Sequence, residues 1–255
     1  MDHELKKQME TIYATTPPES IPWNQDAMPA VLDRLILSGS LKPCRALDIG
    51  CGTGNHAIRL SILGFDMTGI DISSSAISMA QVKVKRLVSR QIGKGNSNHE
   101  DGIWSSNRGK AKWSSNLLKG KWSSDQGKGM CTFEIADMLD DPIVLRKRLG
   151  TFDFSYDHEV LHHIFPENRE QYVGNVSSLL EKGGRHLSVC FSEDDDHFPG
   201  EGKIRTTRMG TRLYLSSEEE ISELFGKHFR ILDLRTITVP GLRGDHRAVY
   251  CFMES

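Results

Sequence analysis

The sequence of 255 residues lacks the features that mark membrane proteins, secreted proteins and strongly basic nucleic-acid-binding proteins. No apolar run approaches the roughly 18 residues of a membrane span, and the first residues lack the apolar core of a signal peptide. The formal net charge is −2, so the overall charge demands neither a nucleic acid nor an anionic membrane as partner. The five cysteines are scattered and odd in number, which predicts a reduced cytoplasmic protein without a disulfide framework or a metal site.

One nine-residue segment, 46–54, joins the end of an apolar strand to a glycine-rich loop. Its glycines occupy alternate positions, and a helix-like stretch follows over 56–63. Without side chains, the loop backbone can approach a ligand closely and can adopt positive φ angles. The start of the helix offers free N–H groups to anionic or polar atoms. The segment therefore predicts a cradle for a nucleotide-like ligand, and a glycine-rich turn without a ligand is the alternative.

The spacing of the glycines distinguishes between nucleotides. The dinucleotide-binding pattern G-x-G-x-x-G places its third glycine one residue later, where this sequence has Asn55. Asp48, two residues before the first glycine, is also foreign to that pattern. Together these features resemble motif I, D-x-G-x-G-x-G, of the class I S-adenosylmethionine-dependent methyltransferases. The resemblance implies that the cofactor is S-adenosyl-L-methionine and that it is held by Asp48, Gly50, Cys51, Gly52, Thr53 and Gly54.

A second signal lies seventeen residues after Gly54, where a short apolar strand ends in Asp71. In nucleotide-binding βαβ units an acidic side chain at this position accepts hydrogen bonds from the ribose hydroxyls. Asp71 fits that role, and Ile72 can lie against the adenine ring. A lone aspartate after an apolar run is otherwise a cap or turn residue.

Short apolar strands alternate with helical segments along the rest of the chain. This order predicts right-handed βαβ crossovers and a mostly parallel sheet with helices on both faces. The last two strands are joined by a segment too short for a crossover helix, which makes them antiparallel. The prediction is therefore an α/β, Rossmann-like sheet of seven strands with an antiparallel last strand, the strands covering residues 45–49, 66–70, 132–136, 152–156, 186–191, 229–236 and 248–253.

The predicted domain organisation has an N-terminal lid or cap over residues 1–40 and a methyltransferase domain over 41–255. An insertion over 91–130 interrupts that domain, with Trp-Ser-Ser repeated at a period of nine from Trp104, Trp113 and Trp122. Its seven lysines and arginines against three acidic residues give a charge of about +4. We expect a disordered surface insertion, because it has too few aliphatic residues for a core. The alternative is a nucleic-acid arm with stacking tryptophans.

Two strand ends carry further candidates. In the resembling family an acidic residue after strand three caps the adenine amino group and an apolar neighbour packs on the ring, which Asp137 and Met138 match. After strand four, Tyr156, Asp157 and His158 are expected to face the methionine end of the cofactor, because ligands bind outside the carboxyl ends of such strands. The segment resembles the Y-D-x-x-x-L-H-H motif of small-molecule methyltransferases.

The same segment supplies the candidate catalytic residues. If the acceptor must lose a proton, Asp157, His158 or His162 can serve as the base, and histidine suits the task by its ordinary pKa near 6.5. Read literally, residues 158–162 are also H-E-x-x-H, a zinc motif, with His158 and His162 spaced for one helix face. The predicted strand-to-helix junction is not the long helix that this motif requires, so we expect no metal.

The parts outside the sheet are expected to select the acceptor. Tyr13 and Trp23 lie in a proline-rich run that resembles the lid of tellurite-resistance-type and thiopurine-type methyltransferases; a hydrophobic plug against the sheet is the alternative. The segment 192–214 can form the acceptor rim, with Arg205 or Arg208 pairing an acidic substrate, or can carry solvated charge.

The sequence as a whole is interpreted as a methyltransferase that acts on a small-molecule acceptor by in-line displacement. Two alternatives stay open: a methyltransferase of RNA or protein that docks through the basic insertion, and a scaffold that binds the cofactor without catalysis. The acceptor atom and the oligomeric state do not follow from these residues.

Overall fold

The computed structural model describes residues 3–92 and 129–255, and for residues 88–92 it describes the backbone alone. The predictions for the insertion fall almost entirely on residues 93–128, which lie outside the described residues. Within the described ranges, none of the helices is both long and apolar enough to cross a bilayer.

The described chain alternates helices and strands as the sequence predicts. The helices are α1 (His3–Thr15), α2 (Ala30–Leu37), α3 (Asn55–Ile62), α4 (Ser74–Ile92), α5 (Pro142–Leu149), α6 (Pro166–Ser178) and α7 (Glu218–Gly226). The strands are β1 (Arg45–Ile49), β2 (Asp66–Asp71), β3 (Cys131–Ile135), β4 (Phe152–His158), β5 (Leu180–Phe191), β6 (Ile204–Thr206), β7 (Arg212–Tyr214), β8 (Arg230–Val239) and β9 (His246–Glu254).

Seven of these strands form one sheet in the order β3-β2-β1-β4-β5-β9-β8. The first five are parallel, and β9 runs antiparallel to both of its neighbours. The predicted fold class is therefore confirmed. The sequence did not predict the separate two-stranded sheet of β6 and β7, which lies within the expected acceptor rim.

Side chains on both faces of the sheet are buried, as expected for parallel strands covered by helices. Successive residues of β1 point to opposite faces: Ala46 packs into one apolar core, and Leu47 and Ile49 pack into the other. A third, smaller core joins α1 to α4 through Met9, Tyr13 and Ala76, among others. This third core brings the N-terminal segment to the carboxyl edge of the sheet.

Local sequence signals explain several element ends. Asp141 caps α5 through its carboxylate, which accepts hydrogen bonds from the amides of Ile143 and Val144. Ser217 and Glu220 form a reciprocal capping box at the start of α7. Two strands are longer than predicted: β4 continues to His158, and β5 already begins at Leu180. The extension of β4 determines where its last side chains point.

Candidate functional site

A cavity of about 670 Å³ opens at the carboxyl edge of the sheet. That volume lies within the roughly 300–1,000 Å³ of cofactor and small-molecule sites. Its walls come from the glycine loop after β1, the ends of β2 and β4, the N-terminal segment and the chain after β5. In open α/β sheets this edge is where ligands bind.

The glycine loop has the backbone geometry that its sequence predicts. Gly50, Gly52 and Gly54 have φ angles of 71°, 52° and 78°, in the left-handed region that favours glycine. An added Cβ would lie 2.4 Å from a methyl group of Val160 at Gly50 and 2.7 Å from the Tyr13 hydroxyl at Gly52. The loop therefore needs glycine both for its turn and for the close approach of its neighbours.

Asp71 ties the second strand to this loop. Its Oδ2 accepts a hydrogen bond of 2.9 Å from the amide of Gly52, and its Oδ1 accepts one of 2.9 Å from the amide of Ser73. Burial raises the pKa of Asp71 to about 6, against the opposing effect of these two amides. The carboxyl lines the cavity, where its remaining lone pairs can accept hydrogen bonds from a ribose.

Asp48 is a buried acid beneath the same loop. It is 3% exposed, and its Oδ2 has no hydrogen-bond partner among the described residues. Burial raises the pKa of Asp48 to about 7, and the nearby Tyr156 hydroxyl acts in the opposite direction. A buried acceptor without a partner is costly, and Asp48 contributes to the cavity wall, so its carboxyl is suited to a donor that a ligand brings.

The N-terminal segment covers the loop. The Tyr13 hydroxyl accepts a hydrogen bond of 2.9 Å from Trp23 Nε1, and both rings line the cavity. Glu10 holds α1 against the start of α4, since its carboxylate accepts hydrogen bonds from the hydroxyls of the three serines that begin there, Ser73, Ser74 and Ser75. The aromatic pair thus sits where a lid would sit.

The chain after β4 contributes a strained acid. Glu159 has a φ angle of 67°, and it is the one non-glycine residue with positive φ among the described residues. Such backbone strain is concentrated at functional sites. Burial raises the pKa of Glu159 to about 7. Its carboxylate lies 3.7 Å from Nδ1 of His158, and both side chains line the cavity.

Of the histidines near Glu159, His162 is buried, and His158 and His56 are half-buried. Burial lowers the pKa of His158 to about 3 and the pKa of His56 to about 4, and it lowers the pKa of His162 well below the ordinary value. These rings are therefore neutral at neutral pH and accept protons weakly. This environment lowers the pKa of His158 and of His162 from the ordinary value near 6.5 on which their expected role as a base was based.

Most of the predicted site residues come together on the cavity wall. The predicted residues that line it are Trp23, Asp48, Gly50, Cys51, Gly52, Thr53, Asp71, Ile72, Met138, His158 and His162. Gly54 does not line it and instead starts α3 in the left-handed conformation, where an added Cβ would lie 2.4 Å from the Phe133 ring.

Three further predicted residues do not line this cavity. Tyr156 is fully buried in a core, where it stacks on Phe154. Asp157 points to the other face of the sheet. Its Oδ1 accepts a hydrogen bond from the Ser188 hydroxyl, and its Oδ2 lies 3.2 Å from Nε2 of His186. Tyr156 is the last residue of the predicted strand, and Asp157 also lies inside β4 because that strand is two residues longer than predicted.

Asp137 is the third. Its carboxylate forms a 2.8 Å ion pair with Lys6 of α1 and accepts a hydrogen bond from the amide of Leu139. Burial acts to raise the pKa of Asp137, but these partners outweigh it and hold the pKa below its ordinary value. Asp137 therefore fastens the N-terminal helix at the site, while its neighbour Met138 lines the cavity.

The spacing of His158 and His162 does not place them on one helix face. His158 ends β4, and His162 lies in a single 3₁₀ turn, Leu161–His163.

A different group, Asp195, His197 and His246, brings possible ligand atoms within 4.8 Å of one another. Within the expected rim, Arg208 lines the cavity and Arg205 does not.

Sequence reasoning missed residues that approach from distant parts of the chain. His56, Phe191 and His246 all line the cavity. His246 begins β9, whose antiparallel direction brings its start to the edge where the parallel strands end. The predicted antiparallel last strand was therefore a signal from which His246 could have been found.

These features test whether the residues fit the expected cofactor. The glycine cradle leaves room where side chains would otherwise lie, Asp48 presents an acceptor without a partner, and Asp71 presents a carboxyl at the end of β2. Ile72 and Met138 supply apolar surface for a flat base. These carboxyl acceptors and apolar surfaces fit a nucleoside with an attached cationic chain, as in S-adenosylmethionine.

The fold and the cavity together define an α/β nucleoside-binding protein of the methyltransferase type. The sequence matches the family described as methyltransferase domain over residues 7–238, and the chain belongs to that family.

Comparisons with known proteins agree with this membership. O-methyltransferase resE of Aspergillus sclerotiorum is 26% identical over 211 residues, which cover 82% of this chain and 61% of that protein. The probable S-adenosyl-L-methionine-dependent methyltransferase TehB of Haemophilus influenzae is 42% identical over 38 residues, which cover 15% of this chain and 13% of that protein. The chain spans between 13% and 61% of the length of the curated relatives it matches.

A solved structure shows the same fold. The 1,6-didemethyltoxoflavin-N1-methyltransferase of Burkholderia thailandensis, solved with bound 1,6-didemethyltoxoflavin and S-adenosylhomocysteine, superposes with a TM-score of 0.63 at 18% identity. The superposition covers 98% of this chain and 87% of that chain. At this identity the likeness establishes the fold.

Proposed function

We propose that this protein is an S-adenosylmethionine-dependent methyltransferase that acts on a small molecule. The observation that carries the proposal is the glycine cradle joined to Asp71, with the unpartnered carboxyl oxygen of Asp48 beneath it. The names of resE, TehB and the toxoflavin enzyme, all methyltransferases, support the activity. The cavity is large enough for a cofactor and a small acceptor side by side.

Each lining residue then has a role that follows from its chemistry. Asp71 accepts hydrogen bonds from the ribose, Ile72 and Met138 pack on the adenine, and Asp48 together with the loop amides holds the amino-acid end. The cofactor supplies a methyl group already activated by the sulfonium. The protein mainly aligns the acceptor with it, and such alignment can lower a barrier by about 7–11 kcal/mol.

The N-terminal segment, residues 1–40, is proposed as the lid of this site. Tyr13 and Trp23 cover the glycine loop, and Lys6 and Glu10 fasten α1 to the sheet edge and to α4. A lid that excludes water strengthens the electrostatic interactions inside the cavity. The remaining residues, 41–255, form the methyltransferase domain of the proposal.

We further propose that the protein works in a reducing compartment, the cytoplasm. All five cysteines carry free thiols, and two of them, Cys190 and Cys251, are buried in the sheet. This is how proteins of reducing compartments use cysteine.

The experiment is a calorimetric titration of the parent protein, Asp71→Asn and the surface control Asp233→Asn with S-adenosylhomocysteine. We expect the parent and the control to bind alike and Asp71→Asn to bind about 10- to 100-fold more weakly, as for loss of hydrogen bonds to a charged group. Equal binding by all three proteins, or binding of a nicotinamide dinucleotide in place of S-adenosylhomocysteine, contradicts the proposal.

A further inference from the structure

An acid–base arrangement that the proposed function does not use lies at the start of β9, and its histidine lines the cavity. Asp195 is buried, and its Oδ2 pairs with Nδ1 of His246 at 3.1 Å. The same carboxylate accepts hydrogen bonds from two backbone amides, that of His197 at 2.9 Å and that of Arg247 at 2.7 Å. The carboxylate is therefore fixed in place, and it fixes the histidine ring.

The contact sets the tautomer of His246. A carboxylate accepts hydrogen bonds, so Nδ1 of His246 donates and the neutral ring carries its lone pair on Nε2. Gly241 packs closely on the His246 ring, since a Cβ added there would lie 2.8 Å from Nε2. The His246 side chain is nevertheless 19% exposed and lines the cavity. An imidazole that is held by a buried aspartate and reaches a cavity is the arrangement of a general base.

The position of the pair matches the acceptor end of the cavity. In the sheet order, β2 and β1 carry the nucleoside half, while β5 and β9 lie on the other side of β4. His246 begins β9, and its ring packs against two phenylalanines that also contact each other: the centroid of Phe198 lies 4.8 Å away, nearly parallel, and that of Phe191 lies 4.9 Å away. Both phenylalanines line the cavity. These aromatic walls suit a flat aromatic acceptor.

We propose that Asp195 and His246 form an acid–base pair that removes the proton from a phenolic hydroxyl of the methyl acceptor. This inference rests on the proposed function. Nε2 of His246 takes the hydroxyl proton, and the acceptor oxygen forms its bond to the methyl carbon as the carbon–sulfur bond breaks. The electron pair of that bond stays on sulfur, which gives S-adenosylhomocysteine, and the proton passes from the imidazolium to solvent.

The surroundings of His246 contain other groups that titrate or carry charge. The ring of His197 lies 5.0 Å from that of His246, and the ring of His162 stacks on Phe191, which also contacts His246. Further out, the cavity wall carries Asp196, Arg208 and Arg243. These neighbours shape any pH profile of the pair, so the test compares variants at each pH rather than one profile alone.

The competing interpretation is a metal site shared by Asp195, His197 and His246. Both carboxylate oxygens already accept backbone hydrogen bonds, and Nδ1 of His246 is engaged with Asp195. His197 is 40% exposed and its Nδ1 lies 3.5 Å from Asp196. The pair needs no contribution from His197, whereas a metal site does, so a variant of His197 separates the two interpretations.

The kinetic experiment measures methylation of phenol and of 4-nitrophenol, which ionises much more readily, by the parent, Asp195→Asn, His246→Gln and His197→Gln. The surface variant His228→Gln is the control for the substitution itself. We expect a loss of about 100- to 10,000-fold with phenol in His246→Gln, as for removal of a general base, with a smaller loss with 4-nitrophenol. His197→Gln keeps activity within about threefold, and Asp195→Asn shows the same dependence on the acceptor as His246→Gln.

A binding experiment provides a second measurement that does not depend on turnover. 4-Nitrophenol is titrated with base by absorbance while bound to the protein with S-adenosylhomocysteine. We expect it to ionise at lower pH in the parent than in His246→Gln, because the imidazolium stabilises the phenolate. Calorimetry with S-adenosylhomocysteine checks that each variant retains the nucleoside site, and thermal unfolding checks that it is folded.

The outcomes separate a failure of the acid–base pair from a failure of the proposed function. A loss that is equal in His197→Gln and His246→Gln and that is reversed by divalent metal overturns the acid–base pair. Equal losses with both acceptors, or a parent that binds S-adenosylhomocysteine but methylates neither phenol, overturn it as well. A parent that binds no S-adenosylhomocysteine overturns the proposed function instead.

Discussion

The amide of Gly52 donates a hydrogen bond of 2.9 Å to Oδ2 of Asp71, so the two sequence motifs of the nucleoside half meet in one contact. The glycine loop and the end of β2 are nineteen positions apart in the chain. Their junction means that the carboxyl expected to hold the ribose also holds the loop expected to hold the rest of the cofactor. Four predictions follow from this arrangement and its surroundings.

Gly52→Ala is expected to abolish tight binding of S-adenosylhomocysteine. The φ angle of 52° strains an alanine, and its Cβ would lie 2.7 Å from the Tyr13 hydroxyl, so the loop or the lid must shift. We expect about 10-fold weaker binding or more and a loss of roughly 1–2 kcal/mol in the free energy of unfolding. Gly226→Ala is the matched control, because nothing lies within 4 Å of its added Cβ. Unchanged binding by Gly52→Ala would contradict the cradle.

Asp48→Asn is expected to stabilise the ligand-free protein at pH 8 while weakening cofactor binding. Burial raises the pKa of Asp48 to about 7, so the contribution of this carboxyl to stability is fully present below its unfolded pKa near 4 and is lost as the pH rises through about 7. The neutral amide removes that penalty, for a gain on the order of 2 kcal/mol at pH 8 and little at pH 4. Denaturant unfolding at both pH values measures it. Destabilisation at pH 8 would show that burial does not penalise the ionised carboxyl of Asp48.

The affinity for S-adenosylhomocysteine is expected to rise with pH between about 5 and 8. Burial raises the pKa of Asp71 to about 6 and that of Asp48 to about 7, and both groups bind ligand donors as carboxylates. Binding therefore releases protons in this range. Calorimetry in buffers of different ionisation enthalpy counts them, and we expect fewer in Asp48→Asn than in the parent. A proton count of zero in the parent at pH 6 speaks against the assignment.

Glu10→Gln is expected to loosen the N-terminal helix. Burial acts to raise the pKa of Glu10, but hydrogen bonds from Ser73, Ser74 and Ser75 outweigh it and lower the pKa to about 2. This contribution to stability is therefore present above the unfolded pKa near 4.3 and is lost as the pH falls through about 2. We expect faster hydrogen exchange in α1 and faster release of S-adenosylhomocysteine from Glu10→Gln at pH 7. Glu19→Gln, in the same segment, is the control. Equal hydrogen exchange in both variants would contradict the claim that Glu10 holds α1 against α4.

The meeting of the glycine loop with Asp71 was predictable from the sequence because both signals are local. The glycine loop follows β1 directly, and Asp71 ends the next strand, so their meeting depends only on neighbouring parallel strands. The fold class was predictable for the same reason, since alternating strands and helices leave few topologies.

The positions of the other site residues depended on the length of β4 and on the path of α1, which the sequence pattern does not determine. Asp157 was placed at the site, but two further residues of β4 keep it inside the strand, where it faces His186 on the opposite side. Asp137 was assigned to the adenine, but α1 folds back and Lys6 pairs with it. His246 and Asp195 were missed because they meet across fifty-one positions of chain.

A crystal structure of the protein with S-adenosylhomocysteine tests the central claim most directly. The account predicts the ribose hydroxyls within hydrogen-bond distance of the Asp71 carboxylate, the adenine against Ile72 and Met138, and the sulfur directed toward the chain after β4. A nucleoside bound with its ribose away from Asp71, or bound outside this cavity, would contradict it.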